Sequence, residues 1–314
     1  MTTVPVAHQA RAHTVARDGL IPAPRWYAHR LNRVMVYRAA AALAAALPRR
    51  ARLAVAAAVG AALARRFAAE RAVVTANLSH IVGGATAAVR EALVAGLFRN
   101  FAMCFADLLV ANRRGACQQL LAGVDGLEHL AAAGSDGRGF IVLTAHLGNW
   151  ELAGRTLAGQ VRRPTHIVVA AELDPGVERF LRGGPAPVRF VVRGDPTQVL
   201  PLVTALRRGE VVAMQGDRAL GTRGDISVPF FGAAAVFPVG PFVLARAAGV
   251  PIVPSFCLLG ADRRYTVRVS APIPVGEDPA TALTAWVAVL EAVVREHPDQ
   301  WFNFFAVWSD RPDH

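Results

Sequence analysis

The sequence predicts an α/β fold in which a central, mostly parallel sheet is flanked by helices and preceded by a helical N-terminal region. From residue 139 onward, short apolar runs alternate with helical segments, which is typical of parallel strands joined by helices. Between residues 26 and 114, Ala and Leu dominate while Gly and Pro are sparse, which indicates helices. With 54% hydrophobic and 18% charged residues, the chain can bury a large core and lacks the composition of a disordered protein.

Three regions are expected: a flexible N-terminal arm over 1–24, a helical region over 25–114, and an α/β core over 115–314. The most apolar N-terminal stretches, 39–47 and 53–63, are each shorter than the ~20 residues that a membrane-spanning helix needs. Arginines border both stretches, so the helical region is predicted to associate with a membrane by lying on its surface. The alternative is a helical cap that faces only water.

One long helix, predicted over 86–112, carries an apolar stripe. Val89, Leu93, Leu97, Phe101 and Phe105 recur every four residues and therefore share one face. Two interpretations remain open: the stripe packs in the core, or it lines a groove for an apolar ligand or a membrane.

The elements of the core follow from their apolar runs. The run at 140–143 is short and continuous, as in a strand that is buried on both faces of a parallel sheet. The same criteria predict strands at 166–171, 190–192, 211–214, 251–258 and 265–269, and helices at 151–157, 199–208, 240–248 and 281–297.

The net charge and the cysteines restrict the function. A formal net charge of +11, supplied by Arg, attracts nucleic acid, an anionic membrane or an acidic substrate. No nucleic-acid-binding motif is recognisable, and the basic residues are spread along the chain. Cys104, Cys117 and Cys257 include no C-x-x-C pair, which argues against a disulfide framework or a zinc site and favours a reducing compartment.

The segment 144–151 carries the chemistry. His146 follows the strand at 140–143, at the end where open α/β sheets bind their ligands. If Glu151 lies in the first turn of the next helix, its carboxylate can hold one ring nitrogen of His146 and leave the other as a general base. Gly148 permits a close approach, and the backbone N–H groups of 148–150 can bind an oxyanion at a helix N-terminus. Asn149 either contacts substrate or holds the turn.

The segment does not match the motifs of a zinc protease or a serine hydrolase. H-x-x-x-x-E lacks the second nearby His of a zinc protease, and no metal is expected. No G-x-S-x-G element of a serine hydrolase is present. A His and a Glu that only cap a helix remain the structural alternative.

These residues, together with later segments in the same order, resemble the lipid A biosynthesis (late) acyltransferase family within the glycerolipid acyltransferase superfamily. The first block is the H-x-x-x-x-[DE] signature at 146–151, and phosphatidylinositol mannoside acyltransferases of actinobacteria carry a similar H-x-G-N-W-[DE]. The similarity covers roughly residues 35–308, and its later blocks lie at 190–193, 215–218, 229–232, 237–241, 250–254 and 297–301.

The resemblance implies an acyltransferase that moves a fatty acyl group from acyl-ACP (acyl-carrier protein) or acyl-CoA to a hydroxyl of a membrane lipid or glycolipid. It implies no cofactor beyond that co-substrate, and a peripheral or monotopic location on the cytoplasmic face of the bacterial inner membrane. The catalytic residues would be His146 and Glu151. The substrate-binding residues would be Gly148, Asn149, Arg193, Asp217, Arg218, Phe231 and Gly240, with Arg193 on an acceptor phosphate.

One departure bears on the acceptor. Many lipid A acyltransferases have a basic Tyr-Arg-Pro-like element about 25 residues after the His, where this chain has Val169-Ala170-Ala171-Glu172. This puts a lipid A precursor in doubt as the acceptor and leaves Arg193 as the expected anion contact. A phosphatidylinositol mannoside or a lysophospholipid is the alternative acceptor. The rival functions are a thioesterase that uses the same His146 and a non-catalytic basic module that binds membrane or nucleic acid.

Overall fold

The computed structural model describes residues 32–114, 117–172, 174–182, 188–193, 196–219, 221 and 224–308. The predicted arm over 1–24 lies outside these residues. The first described elements are four helices: α1 (Val34–Ala46), α2 (Arg49–Arg66), α3 (Ala68–Ile81) and α4 (Ala87–Arg114). The long helix predicted over 86–112 is therefore confirmed as α4.

Helix α4 is the centre of this helical region and packs against α1, α2 and α3. Gly60 of α2 allows the closest approach, because a Cβ there would lie 2.4 Å from the Phe98 carbonyl oxygen. Residues 87–111 are long and apolar enough to cross a membrane, but 61% of their most apolar window is buried inside the protein. A buried core helix passes the same test of length and composition.

A buried ion cluster joins the helices to the sheet. Asp107 of α4 is fully buried and receives hydrogen bonds from Arg49, Arg52 and Tyr265 at 2.6–3.2 Å. Two guanidinium groups and a phenol together satisfy the charge that the buried carboxylate would otherwise leave unpaired.

Within the described residues, seven strands form one sheet in the order β1-β9-β8-β2-β5-β3-β4. All neighbouring pairs are parallel except β8 and β9, which confirms the predicted mostly parallel sheet. The strands are β1 (Leu121–Asp125), β2 (Phe140–Thr144), β3 (Thr165–Val169), β4 (Val188–Val192), β5 (Val211–Gln215), β8 (Ile252–Leu259) and β9 (Tyr265–Val269).

Helices connect and cover these strands, as predicted. They are α5 (Leu127–Ala133), α6 (Trp150–Val161), α7 (Pro175–Arg182), α8 (Val199–Arg207), α9 (Gly240–Ala248) and α10 (Pro279–Glu296). The predicted boundaries agree within a few residues for the strands and helices that were expected. The central strands β2 and β8 are buried along their whole length, as their continuous apolar runs require.

Five elements were not predicted. Strand β1, helices α5 and α7, and the hairpin of β6 (Asp225–Phe230) and β7 (Ala233–Pro238) were all missed. The hairpin turns at Phe231-Gly232, and both residues have positive φ angles of 49° and 78°. After α10 the chain makes a 3-10 turn, Pro298–Gln300, and continues without a regular helix or strand to residue 308. We call residues 298–308 the C-terminal strap; its backbone is hydrogen-bonded to the segment that follows β2.

Candidate active site

The site is built by two adjacent parallel strands. In the ladder between β2 and β5, Thr144 pairs with Gln215, so the residues two positions further along each strand also lie side by side. Those residues are His146 and Asp217. The backbone N–H of Gly216 donates to the Thr144 carbonyl at 2.9 Å and extends the pairing beyond the ends of the strands.

Asp217 is hydrogen-bonded to both the ring and the backbone of His146. The ring Nδ1 lies 2.8 Å from Asp217 Oδ1, and the His146 backbone N–H donates to Oδ2 at 3.0 Å. The indole N–H of Trp301 and the side-chain amide of Asn303 also donate to Oδ2, at 3.1 and 3.4 Å. The carboxylate is nearly inaccessible, at 2% exposure, so protein groups supply the hydrogen bonds that water would otherwise make.

The charges around this pair favour a neutral ring and an ionised carboxylate. Burial lowers the pKa of His146 below its ordinary value of 6.5, and Arg218 and Arg193 lower it further, while Asp217 acts in the opposite direction. Although burial alone raises the pKa of Asp217, His146 and Arg218 hold it well below the usual range. With Nδ1–H donating to Asp217, the lone pair of Nε2 is available to accept a proton.

Glu151 lies in the first helical turn, as the sequence predicted, but it does not hold the His146 ring. The hydrogen-bonded carboxylate at the His146 ring is that of Asp217, and Glu151 lies in the first turn of α6 with its side chain bordering the cleft. Burial raises the pKa of Glu151; Arg155 and Arg182 oppose this rise. The expected His146–Glu151 hydrogen bond is wrong because the register of β2 and β5 places another carboxylate against the ring, a contact that spans 71 residues.

The backbone N–H groups of the turn between His146 and α6 are used in hydrogen bonds within the protein. Gly148 has a φ of 59°, and a Cβ there would lie 2.0 Å from the Cys257 carbonyl oxygen, so only glycine fits. The N–H groups of Gly148 and Asn149 donate to the carbonyls of Gln300 and Cys257, each at 2.8 Å. Neither N–H is therefore available for an oxyanion, and that part of the sequence interpretation is corrected.

Asn149 is the N-cap of α6. Its side-chain oxygen accepts from the Leu152 N–H at 3.4 Å, and its amide donates to the Cys104 carbonyl at 3.1 Å. Both ends of the side chain are thus used within the protein, and Asn149 is only 3% exposed. Of the two roles left open by the sequence, the structure favours holding the turn.

His146 lies in a partly open cleft with two kinds of wall. The apolar wall comes from α1, α4 and the C-terminal strap, and it consists of Tyr37, Phe101, Phe105, Leu108, Phe302, Phe304 and Phe305. The polar part contains Glu151, Glu172, Arg182, Gln215 and Arg218. A cleft of this kind suits a molecule with an apolar chain and a polar group close to the base.

The other predicted binding residues divide into two groups. Arg218 borders the cleft and donates to the Asn303 side chain and the Phe302 carbonyl, each at 3.0 Å. Arg193 is exposed at the carboxyl end of β4, and its backbone N–H is bonded to Val169, which borders the cleft. Phe231 and Gly240 lie outside the cleft lining; the Phe231 N–H donates to Glu291 of α10, so the hairpin packs on that helix.

Trp301 and Asn303 are the residues of the site that the sequence did not single out. The tail block that resembles the family ends at Trp301, but that similarity alone assigned no role to the indole. Because 84 and 86 residues separate them from Asp217, no local spacing reveals the contact.

Comparison with known proteins identifies the family of the chain. Residues 26–309 match the family described as "Bacterial lipid A biosynthesis acyltransferase". The chain is 29% identical over 251 residues to the phosphatidylinositol mannoside acyltransferase of Mycobacterium tuberculosis, across 74% of this chain and 75% of the relative. It is 26% identical over 238 residues to the Mycolicibacterium smegmatis protein of the same name, across 74% and 77% of the two chains.

A more distant relative has a different acceptor in its name. The lipid A biosynthesis lauroyltransferase of Escherichia coli is 25% identical over 194 residues, which cover 60% of this chain and 62% of that protein. Since the family match spans nearly the whole chain and the relatives are named as acyltransferases, the protein is an acyltransferase that belongs to the bacterial lipid A biosynthesis acyltransferase family.

Proposed function

We propose that the protein transfers a fatty acyl chain from an acyl-CoA or acyl-ACP thioester to a hydroxyl of a membrane glycolipid, with His146 as the general base. The observation that carries this proposal is the His146 ring at an apolar cleft, with its Nδ1 held by Asp217 at 2.8 Å. This arrangement leaves Nε2 as the base and provides space for an acyl chain beside it.

The proposed reaction needs a single proton carrier. Nε2 of His146 removes the proton of the acceptor hydroxyl while the oxygen attacks the thioester carbonyl carbon. Asp217 stabilises the imidazolium that forms. When the tetrahedral intermediate collapses, the C–S bond breaks and the departing sulfur takes the proton from His146, which yields an ester and a free thiol.

The oxyanion of the intermediate needs donors other than Gly148 and Asn149. Trp150 and Glu151 begin helix α6, and the first turn of a helix leaves its N–H groups without intrahelical acceptors. Both residues border the cleft. We assign the oxyanion to this helix N-terminus, where the helix dipole also favours negative charge.

The substrate groups are assigned from the two walls of the cleft. The aromatic wall takes the acyl chain, and the polar part takes the acceptor head group. Arg218 in the cleft and Arg193 at its edge provide charges for an acceptor phosphate, to which guanidinium groups bind well. Glu151 is assigned contact with the acceptor in place of its predicted contact with the ring, because it borders the cleft and Asp217 holds the His146 ring.

A phosphatidylinositol mannoside is the proposed acceptor. The two mycobacterial relatives named for that lipid match 74% of this chain, whereas the lipid A lauroyltransferase matches 60%. The segment Val169-Ala170-Ala171-Glu172 also brings an acidic side chain to the cleft, in place of the basic element of many lipid A enzymes.

A bilayer location is proposed for the reaction. The exposed side chains of α1 and α2 are apolar or Arg, and residues 33–66 contain no Asp or Glu. Met35 and Leu43 are 68% and 70% exposed. Apolar residues beside arginines suit the surface of an anionic membrane, here the cytoplasmic face of the inner membrane.

The test measures product formation directly. Labelled palmitoyl-CoA or palmitoyl-ACP is incubated with the purified protein and either phosphatidylinositol dimannoside or a lipid A precursor. We expect an acylated mannoside, and we expect His146→Ala to abolish its formation. Rapid release of free palmitate without acceptor would instead identify a thioesterase, and wild-type turnover by His146→Ala would refute the proposed base.

A further inference from the structure

We propose that Trp301 and Asn303 are positioning residues that orient the Asp217 carboxylate and thereby set the basicity of His146. The inference rests on the proposed function, because it assigns the two side chains a task in that proton transfer.

The two oxygens of Asp217 have different hydrogen-bond partners. Oδ1 is hydrogen-bonded to the His146 ring, whereas Oδ2 accepts from the His146 backbone N–H, Trp301 and Asn303. All three groups at Oδ2 are donors. They therefore stabilise the charged carboxylate and prevent the rotation that would exchange its oxygens.

The strap places these donors at Asp217 because its backbone pairs with the segment that follows β2. The Phe302 N–H donates to the His146 carbonyl at 2.7 Å, and the Gln300 carbonyl accepts from the Gly148 N–H at 2.8 Å. Leu147 and Trp301 form an antiparallel bridge between the same segments. In an extended segment residues i and i+2 point to one side, so Trp301 and Asn303 both reach Asp217 while Phe302 borders the cleft.

The strap is held in place by hydrogen bonds that do not involve Asp217. Gln300 exchanges two hydrogen bonds of 2.9 Å with the backbone of Leu259 in β8. Asn77 of α3 donates to the carbonyls of Asn303 and Phe305 and accepts from the Val307 N–H. The strap is therefore anchored on both sides of Asp217, so loss of one side-chain contact should leave the backbone in place.

The charged groups near the pair determine the sign of the effect. Asp217, which follows β5, raises the pKa of His146, whereas Arg218 and Arg193 lower it. His146 and Arg218 lower the pKa of Asp217. Removing a donor from Oδ2 makes the carboxylate hold its charge less favourably, so it attracts the ring proton more strongly. The pH at which His146 becomes protonated then rises.

The experiment compares Trp301→Phe with a matched variant, Trp308→Phe, in the full chain. Phe keeps the aromatic contacts of Trp301 with Phe230 and Trp308 but removes the N–H. Trp308 also lies in the strap, yet its indole N–H donates to the Phe230 carbonyl at 3.0 Å and not to Asp217. The measured quantities are kcat and KM as functions of pH, with palmitoyl-CoA as donor and the acceptor that gives product.

For Trp301→Phe we expect kcat to fall about tenfold, with the donor KM within about twofold of wild type. We expect the acid limb of kcat/KM to move up by about half a pH unit or more. Trp308→Phe should keep the acid limb of the wild type. An unshifted acid limb in Trp301→Phe, or an equal shift in both variants, would overturn the inference.

A second variant decides the matter if Trp301→Phe does not fold. Asn303→Ala removes the donor to Oδ2 without adding a charge, and Arg218 keeps its hydrogen bond to the Phe302 carbonyl. The acid limb should then move to higher pH than in the wild type, and an unchanged limb would contradict the inference. Activity that persists in His146→Ala refutes the proposed function itself, which separates the two failures.

Discussion

At the scale of single residues, the two oxygens of Asp217 explain why this carboxylate can act as a partner of His146. The three groups at Oδ2 are all donors, so Oδ1 is left to face the ring. Buried polar groups need such complete pairing, since an unpaired donor or acceptor costs about 1–3 kcal/mol. The same pairing makes the site sensitive to isosteric changes.

Asp217→Asn tests this arrangement with almost no change in volume. The amide oxygen would take the Oδ2 position and accept from the three donors, so the amide nitrogen would donate to Nδ1 of His146. The ring proton would then lie on Nε2, and the general base would be lost. We expect kcat to fall on the order of a thousandfold in a steady-state assay, with the fold intact by circular dichroism. Activity close to that of wild type would show that the tautomer does not matter.

Glu151→Gln distinguishes the role of Glu151 from that of Asp217. If Glu151 contacts the acceptor and not the ring, the acceptor KM should rise and kcat/KM should fall about tenfold. The acid limb of kcat/KM should stay with that of the wild type, below pH 6.5, because the pKa of His146 is lowered by burial and by Arg218 and Arg193. A displaced acid limb with unchanged KM would return the ring-holding role to Glu151.

At the scale of elements, the apolar stripe of α4 serves more than one purpose. Leu97 is buried in the core, Phe101 and Phe105 border the cleft, and Val89 is 49% exposed. The sequence left two alternatives for the stripe, core packing and lining of a groove. Both occur, at different residues of the same helix face. A 28-residue helix passes several environments along its length, so one stripe need not have one partner.

Helix α6 gives the prediction at this scale. Asn149→Ala removes the N-cap of α6 and the donor to the Cys104 carbonyl, so the free energy of unfolding should fall by about 1–2 kcal/mol in urea denaturation. If Asn149 only holds the turn, the acceptor KM should stay within about twofold of wild type. A large rise in KM at unchanged stability would instead make Asn149 a substrate ligand.

At the scale of the whole molecule, the helical region offers an apolar surface next to a cleft with an aromatic wall. Tyr37 of α1 borders the cleft, while Met35 and Leu43 of the same helix are exposed. A bilayer bound to α1 and α2 would therefore lie close to the apolar wall. This placement would let a lipid acceptor reach His146 without crossing water.

The double variant Leu43→Asp/Val55→Asp tests the membrane surface. Each change puts a carboxylate on an exposed apolar position, so binding to vesicles that contain phosphatidylglycerol should weaken at least about tenfold. Leu127→Asp/Leu200→Asp is the matched control, since it also adds two carboxylates and these residues are 45% and 73% exposed on α5 and α8 of the core. Equal losses in both proteins, or no loss in the double variant, would contradict this surface.

Local sequence patterns were enough to predict the mostly parallel sheet and the position of His146 after its buried strand. Continuous apolar runs and helical spacing are local signals, and β2, β5, β8 and α9 could be predicted from them. Elements with few apolar residues or an unusual turn, such as α7 and the hairpin of β6 and β7, lacked a clear local signal. The family resemblance named the right class of enzyme for the same reason, because its motifs are short and contiguous.

The side chains that meet at His146 could not be predicted from local sequence patterns. The carboxylate five residues away was the obvious candidate by spacing, but strand register places Asp217 against the ring, and the strap brings Trp301 and Asn303 to it. Such contacts join residues 71 to 86 positions apart, and they depend on the order and register of strands that no local pattern encodes.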